Sequence, residues 1–189
     1  MADQLERVVA WRNLPINGTD HCVLWRTAEG WLLKGTVVGA LQDQRPMLAR
    51  YEVCCDHNWL TRRAQVERTI GKDSRTLSLS LESGGLWQSS GQELPEVRGC
   101  QDVDLSVTPA TNTLPIRRLD LGIGKSETVI AAWIKFPELE VQLLSQRYTR
   151  SSENIYQYES DTGFSAEITV DDLGLVITYP GGWDRIATL

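Results

Sequence analysis

Polar and apolar residues alternate with a period of two along most of this chain. A sustained helical stripe at i, i+3, i+4, i+7 is hard to find, so the pattern predicts strands almost throughout. Residues 8–12 read as a short opening strand, and Pro15 to Gly18 as a turn. Residues 21–27 and 30–41 follow as strands joined tightly at Ala28-Glu29-Gly30, and residues 46–56 form the fourth. In that fourth strand Met47, Ala49, Tyr51, Val53 and Cys55 share one face, while Leu48, Arg50, Glu52, Cys54 and Asp56 share the other. Residues 58–69 continue extended, and Gly71-Lys72-Asp73 turns the chain. Residues 75–82 then set Leu77, Leu79 and Leu81 opposite Thr76, Ser78 and Ser80. Such alternation suits an antiparallel sheet with one wet face.

The stretch from Arg98 to Gly122 organises the rest. Val103, Leu105 and Val107 point one way and Asp102, Asp104 and Ser106 the other, which sets two carboxylates side by side. Thr108 to Pro115 cannot continue a central strand. Its prolines lack an N–H, each restricts the residue before it, and its Thr and Asn side chains bond to nearby backbone, so a stiff polar loop is expected. Arg117 and Arg118 then resume an extended run whose guanidinium forks can meet the carboxylates. Beyond Gly124, residues 128–136 are apolar enough for a strand covered on both faces. Residues 141–148, 155–159, 164–170 and 175–180 complete the series. Hairpin follows hairpin without a long repeat or a low-complexity linker. The expected fold is a mainly β, large antiparallel meander sheet with little helix, in a single domain spanning residues 1–189.

The residues GCQDVDL at 99–105 and TPATNTLPIRR at 108–118 closely resemble the signature of the bacterial family named putative glycolipid-binding, formerly a domain of unknown function. The likeness extends through Arg50-Tyr51-Glu52-Val53, Trp59 with Thr61-Arg62, Ala132-Trp133 with Phe136-Pro137, and Tyr179-Pro180 with Trp183. It spans nearly the whole chain. What the resemblance implies is an antiparallel half-barrel similar to periplasmic lipoprotein-localisation carriers and the binding of a lipid-like ligand. It carries over no catalytic residues.

Composition narrows the classes. The chain has 189 residues, 41% of them hydrophobic and 23% charged, with a formal net charge of −6. An acidic chain without a basic stripe argues against nucleic acid as a partner. The start, with acidic residues ahead of a very short apolar run, is unlike a secretory signal, and no window reaches the roughly 18 apolar residues of a transmembrane segment, so a cytoplasmic location is expected. Cys22, Cys54, Cys55 and Cys100 match neither a metal pattern nor a disulfide scaffold, and free thiols are expected. No metal or cofactor is implied.

Candidate chemistry lies in aromatics and paired charges. Tryptophans and tyrosines along the strands suit a ligand cleft or stacking on sugar rings, although each also suits a core. Arg50, Glu52, Arg62, Asp102, Asp104, Arg117 and Arg118 sit in segments otherwise apolar enough to be central. There they either hold a ligand head group or brace the sheet by pairing among themselves. The candidate ligand-binding set is Arg50, Tyr51, Trp59, Arg62, Asp102, Asp104, Asn112, Arg117, Arg118, Trp133 and Tyr148. The expected activity is non-catalytic binding of a hydrophobic or glycolipid-like small molecule in the concave face.

Two other classes stay open. One is a small hydrolase acting on a glycoside or ester through Asp102 and Asp104 or His57. Carboxylates at i and i+2 on one strand lie only about 6–7 Å apart on the same side, which suits a shared Arg better than opposite faces of a sugar. The other is a module whose open edge strands recruit a protein or form a homodimer. The segment Gly122-Ile123-Gly124-Lys125-Ser126 ends like a phosphate loop but lacks its first glycine at the required place.

Overall fold

The structure, a computed structural model, describes residues 3–189. It is mainly β: one 15-stranded, largely antiparallel sheet and one short helix. The first half is a meander: β1 (Gln4–Asn13), β2 (Gly18–Arg26), β3 (Trp31–Ala40), β4 (Pro46–Cys55), β5 (Thr61–Ile70), β6 (Asp73–Glu82), β7 (Leu86–Ser89) and β8 (Gln92–Glu93). After β9 (Asp102–Leu105), the second half runs β10 (Ser126–Lys135), β11 (Glu140–Arg150), β12 (Ile155–Ser160), β13 (Ser165–Val170), β14 (Val176–Tyr179) and β15 (Trp183–Thr188). Pairing of β1 with β15 joins the two halves, so the order runs from β8 down to β1, then from β15 down to β9. The sheet is not closed.

Alternation decides which side is inside. In β4, Met47, Ala49, Tyr51, Val53 and Cys55 are all buried, whereas Arg50 faces water. Neighbouring strands add Trp11, Leu24, Leu33, Val37, Val66 and Leu79 to the same cluster. A second cluster, on the other half, gathers Val129, Tyr148, Tyr156, Tyr158, Ile168, Val176 and Tyr179. Strand β9 separates the two. Val103 and Leu105 belong to the first cluster, while the alternate residues Asp102 and Asp104 turn to Arg118 and to Gln146 of β11. Strand β10 is covered on both faces only in its middle, where the adjacent Ala131 and Ala132 are buried; Thr128 and Ile130 are exposed, so the apolar run is not enclosed along its whole length. The segment leading into β9 is tied to the first half by three bonds: Gly99 N–H to the Gly85 carbonyl (2.9 Å), Thr61 N–H to the Gln101 carbonyl (3.2 Å), and the Trp87 indole N–H to the Cys100 carbonyl (2.8 Å).

The central stretch departs from expectation. Residues 108–118 are neither an exposed loop nor an extended run. They form a 3-10 turn at Ala110–Asn112 that passes into helix α1 (Thr113–Leu119), buried from Ala110 to Ile116. Pro115 is compatible with this because it lies in the first helical turn, where an N–H has no intrahelical partner. Arg117 and Arg118 fall in the last turn, where the helix dipole favours cations, and Asp120 ends the helix in the left-handed region at φ 42°. Because α1 intervenes, β9 enters parallel to β10, unlike the hairpins elsewhere. Leu114 packs in the first cluster and Ile116 in the second, so the helix fills the concave side that an open half-barrel would leave hollow.

Candidate functional site

Larger and more polar openings of about 500 and 350 Å³ border α1 at Arg117 and Asp120 and at Arg118 and Leu119, while beside the helix the second half holds an aromatic-walled cavity of about 230 Å³. Strand β9 and the loop after it supply Asp104, Ser106 and Thr108, and the 3-10 turn supplies Asn112. Aromatic walls come from Trp133 of β10, Tyr158 of β12, Phe164, Tyr179 of β14 and Trp183 of β15. These last rings support one another. The Tyr158, Phe164 and Tyr179 centroids lie 5.9–6.2 Å apart pairwise, and Tyr179 to Trp183 is 5.2 Å. Pro15 and Gly182 lie at the rim, and the Leu14 N–H bonds to the Gly182 carbonyl at 2.9 Å. Leu14 and Phe164 are 44% and 46% exposed, which leaves an apolar lip.

Polar groups of the cavity are held from behind. The Gln146 amide donates to Asp104 and to the Tyr158 hydroxyl, the latter at 3.0 Å. Asn112 donates to the Pro109 carbonyl (3.1 Å) and accepts from the Tyr148 hydroxyl (2.9 Å). Burial pushes the Asp104 carboxyl up to about 6; the Gln146 hydrogen bond opposes this, and the neighbouring Asp102 charge adds to it. Asp102 itself is 1% exposed and forms a two-pronged pair with Arg118, at 3.1 and 2.5 Å. Its carboxyl is also raised by burial, with Arg118 pulling the other way. The Trp183 indole N–H is buried without a hydrogen-bond partner.

Thr108 links the cavity to a second polar group. Its hydroxyl donates to Asp20 at 2.5 Å, and the Tyr51 hydroxyl donates to the same carboxyl at 3.2 Å. Asp20 is fully buried, and desolvation pushes its carboxyl up to about 7 against those two hydrogen bonds. Tyr51 fits only because position 35, its cross-strand partner, is glycine: a Cβ there would lie 2.2 Å from the ring's Cζ.

The residues singled out from sequence therefore separate. Asp104, Asn112 and Trp133 line the cavity, with Tyr148 directly behind Asn112 and the Asp102–Arg118 pair beside it. Tyr51 reaches it only through Thr108. Arg50, 3.9 Å from Glu67, lies on the wet outer face, where Glu52 pairs with Lys34. Arg62 pairs with Asp56 at the other end of β4. Trp59 stacks on Trp31 (centroids 4.4 Å apart), with the Arg117 guanidinium over the Trp59 ring, 5.9 Å from its centre. His57 is exposed in the turn between β4 and β5. Tyr158, Phe164, Tyr179 and Trp183 were not in the candidate set; their clustering depends on curvature bringing four separate segments together. The richness of the strands in tryptophan and tyrosine, and the nearness of Tyr179 to Trp183, pointed toward three of them; Phe164 carried no such signal.

Among the described residues, no helix is long and apolar enough to cross a membrane, and no group of three His, Cys, Asp or Glu side chains is placed to hold a metal. No curated protein matches the chain. A crystal structure of a DUF1089 family protein from Pseudomonas aeruginosa is similar at 33% identity and a TM-score of 0.80, covering 88% of this chain and 92% of that one. A β-barrel-like protein of the DUF1849 domain of unknown function from Brucella abortus matches in fold, with a TM-score of 0.61 at 10% identity over 97% of each chain. The family model described as "Putative glycolipid-binding" matches residues 8–185, and by that match over nearly its full length this chain belongs to the putative glycolipid-binding family.

Proposed function

We propose that the protein binds a glycolipid-like molecule by its polar head, without transforming it, in the cavity between α1 and the aromatic walls. The observation that carries this is an acceptor held inside an aromatic enclosure. Asp104 offers the acceptor, and Trp133, Tyr158 and Tyr179 offer flat faces for a sugar ring, with the partnerless Trp183 indole N–H buried in the same wall. An acyl chain buried in the concave face does not fit this geometry. Helix α1 occupies that space, and about 230 Å³ is below the roughly 300–1,000 Å³ of pockets for drug-sized ligands. The apolar part of the ligand instead lies along the lip formed by Leu14, Pro15 and Phe164.

Hydrolysis has less support. Two carboxylates must flank a scissile glycosidic bond, yet Asp104 is the one carboxylate lining the cavity among the described residues, and Asp102 is committed to Arg118. Titrating isotopically labelled protein with monomeric octyl glucoside tests the binding reading through the tryptophan indole resonances. The Trp133 and Trp183 signals are expected to move, with the Trp11 and Trp87 signals still. Movement confined to Trp25 or Trp31 would place the ligand elsewhere and refute the site.

A further inference from the structure

Asp104 poses a problem that a neutral ligand does not solve. It is a half-buried carboxylate facing an aromatic cavity, and its protein partner there is the neutral amide of Gln146. The Arg118 guanidinium is occupied by Asp102. Among the described residues no basic side chain pairs with Asp104, whereas Asp102, two residues away, has a full two-pronged partner. A charge removed from water without an opposite charge is costly, and aromatic faces attract cations as well as sugar rings.

We propose that the head group bound here carries a protonated amine, as an amino sugar does, with the ammonium seated on Asp104 in the cavity that Trp133 and Tyr158 line. This rests on the head-group reading above and narrows it to one ligand chemistry. The ammonium supplies the positive partner that the fold withholds from Asp104. The sugar's apolar face lies on the aromatic wall. Asn112, fixed at both ends by Pro109 and Tyr148, borders the same space.

The experiment compares glucosamine, glucose and N-acetylglucosamine, which share a ring but differ in charge, on the whole chain by chemical-shift titration at pH 7. Glucosamine is expected to bind at least about tenfold more tightly than either neutral sugar, and Asp104→Asn is expected to remove that preference while leaving neutral-sugar binding in place. Equal binding of all three sugars, or a preference that survives in Asp104→Asn, overturns the ammonium assignment and leaves the head-group reading standing. No shift with any of them overturns both. Should Asp104→Asn fail to fold, the unmodified protein gives the same decision. Its glucosamine preference must fade between pH 7 and pH 5, where the ligand stays charged and Asp104 takes up a proton. The groups facing Asp104 leave this window interpretable. Asp102 is held by Arg118, Gln146 does not titrate, Lys135 lies over the Trp133 ring at 5.3 Å without pairing with Asp104, and Tyr148, Tyr158 and Tyr179 are all pushed upward by burial. A preference constant over that range refutes the assignment.

Discussion

Among single residues, Asp20 makes the sharpest energetic demand. It is buried among neutral groups, with only the Thr108 and Tyr51 hydroxyls to offset the loss of water. Its folded pKa lies above the ordinary carboxylate value, at about 7 rather than 3.8, so the folded state holds a proton that the unfolded chain has already released. The stabilisation from that proton is complete below about 3.8, declines as pH rises through the interval up to about 7, and is absent above it. Urea unfolding of Asp20→Asn, compared with the unmodified chain at pH 4.5, 6 and 8, should show the variant relatively more stable at pH 8 than at pH 4.5. The change in the difference should be on the order of 1–3 kcal/mol. Parallel pH profiles for the two proteins would mean that Asp20 stays ionised throughout.

At the level of elements, strands were easier to read than the helix. Strand β4 could be assigned face by face, because burial on one side and water on the other leave a period-two record in its residues. The same alternation explains why Arg50 and Glu52 are not at the cavity: they occupy the wet face of an inner strand, where charge needs no buried partner. Helix α1 left a misleading record. Two prolines with threonine and asparagine resemble a loop, and only the position of Pro115 in a first turn makes them helical. Asp104, Asn112 and Trp133 were recognisable from the central motif and its neighbour, but the rings that complete their enclosure come from β12, β14, β15 and the start of β13's hairpin. Sequence spacing does not encode how far a sheet curls. The β3–β4 pair offers a test of how tightly such an element is fitted. Gly35→Ala places a Cβ against the Tyr51 ring and hydroxyl, so it should destabilise the protein by about 1–3 kcal/mol in thermal or urea unfolding. Unaltered stability would show that the ring is free to move aside.

Across the whole molecule, one sheet serves as two linked enclosures. The first half wraps aliphatic and aromatic side chains around β9 and the end of β10, while the second wraps tyrosines around Ile116 and leaves the cavity at its rim. Pairing of β1 with β15 makes them continuous, so contacts between residues far apart in sequence are required before either enclosure is complete. Such a topology is expected to fold on the millisecond-to-second scale of non-local β proteins. The bonds from Gly99 and Thr61 across to Gly85 and Gln101 lie outside the regular ladders, where the segment before β9 is tied into the first enclosure. Breathing of this seam would free both amide protons in one event without unzipping a hairpin. In deuterium they should therefore exchange in step, faster than the amides of Val53 and Val66 in the central ladders.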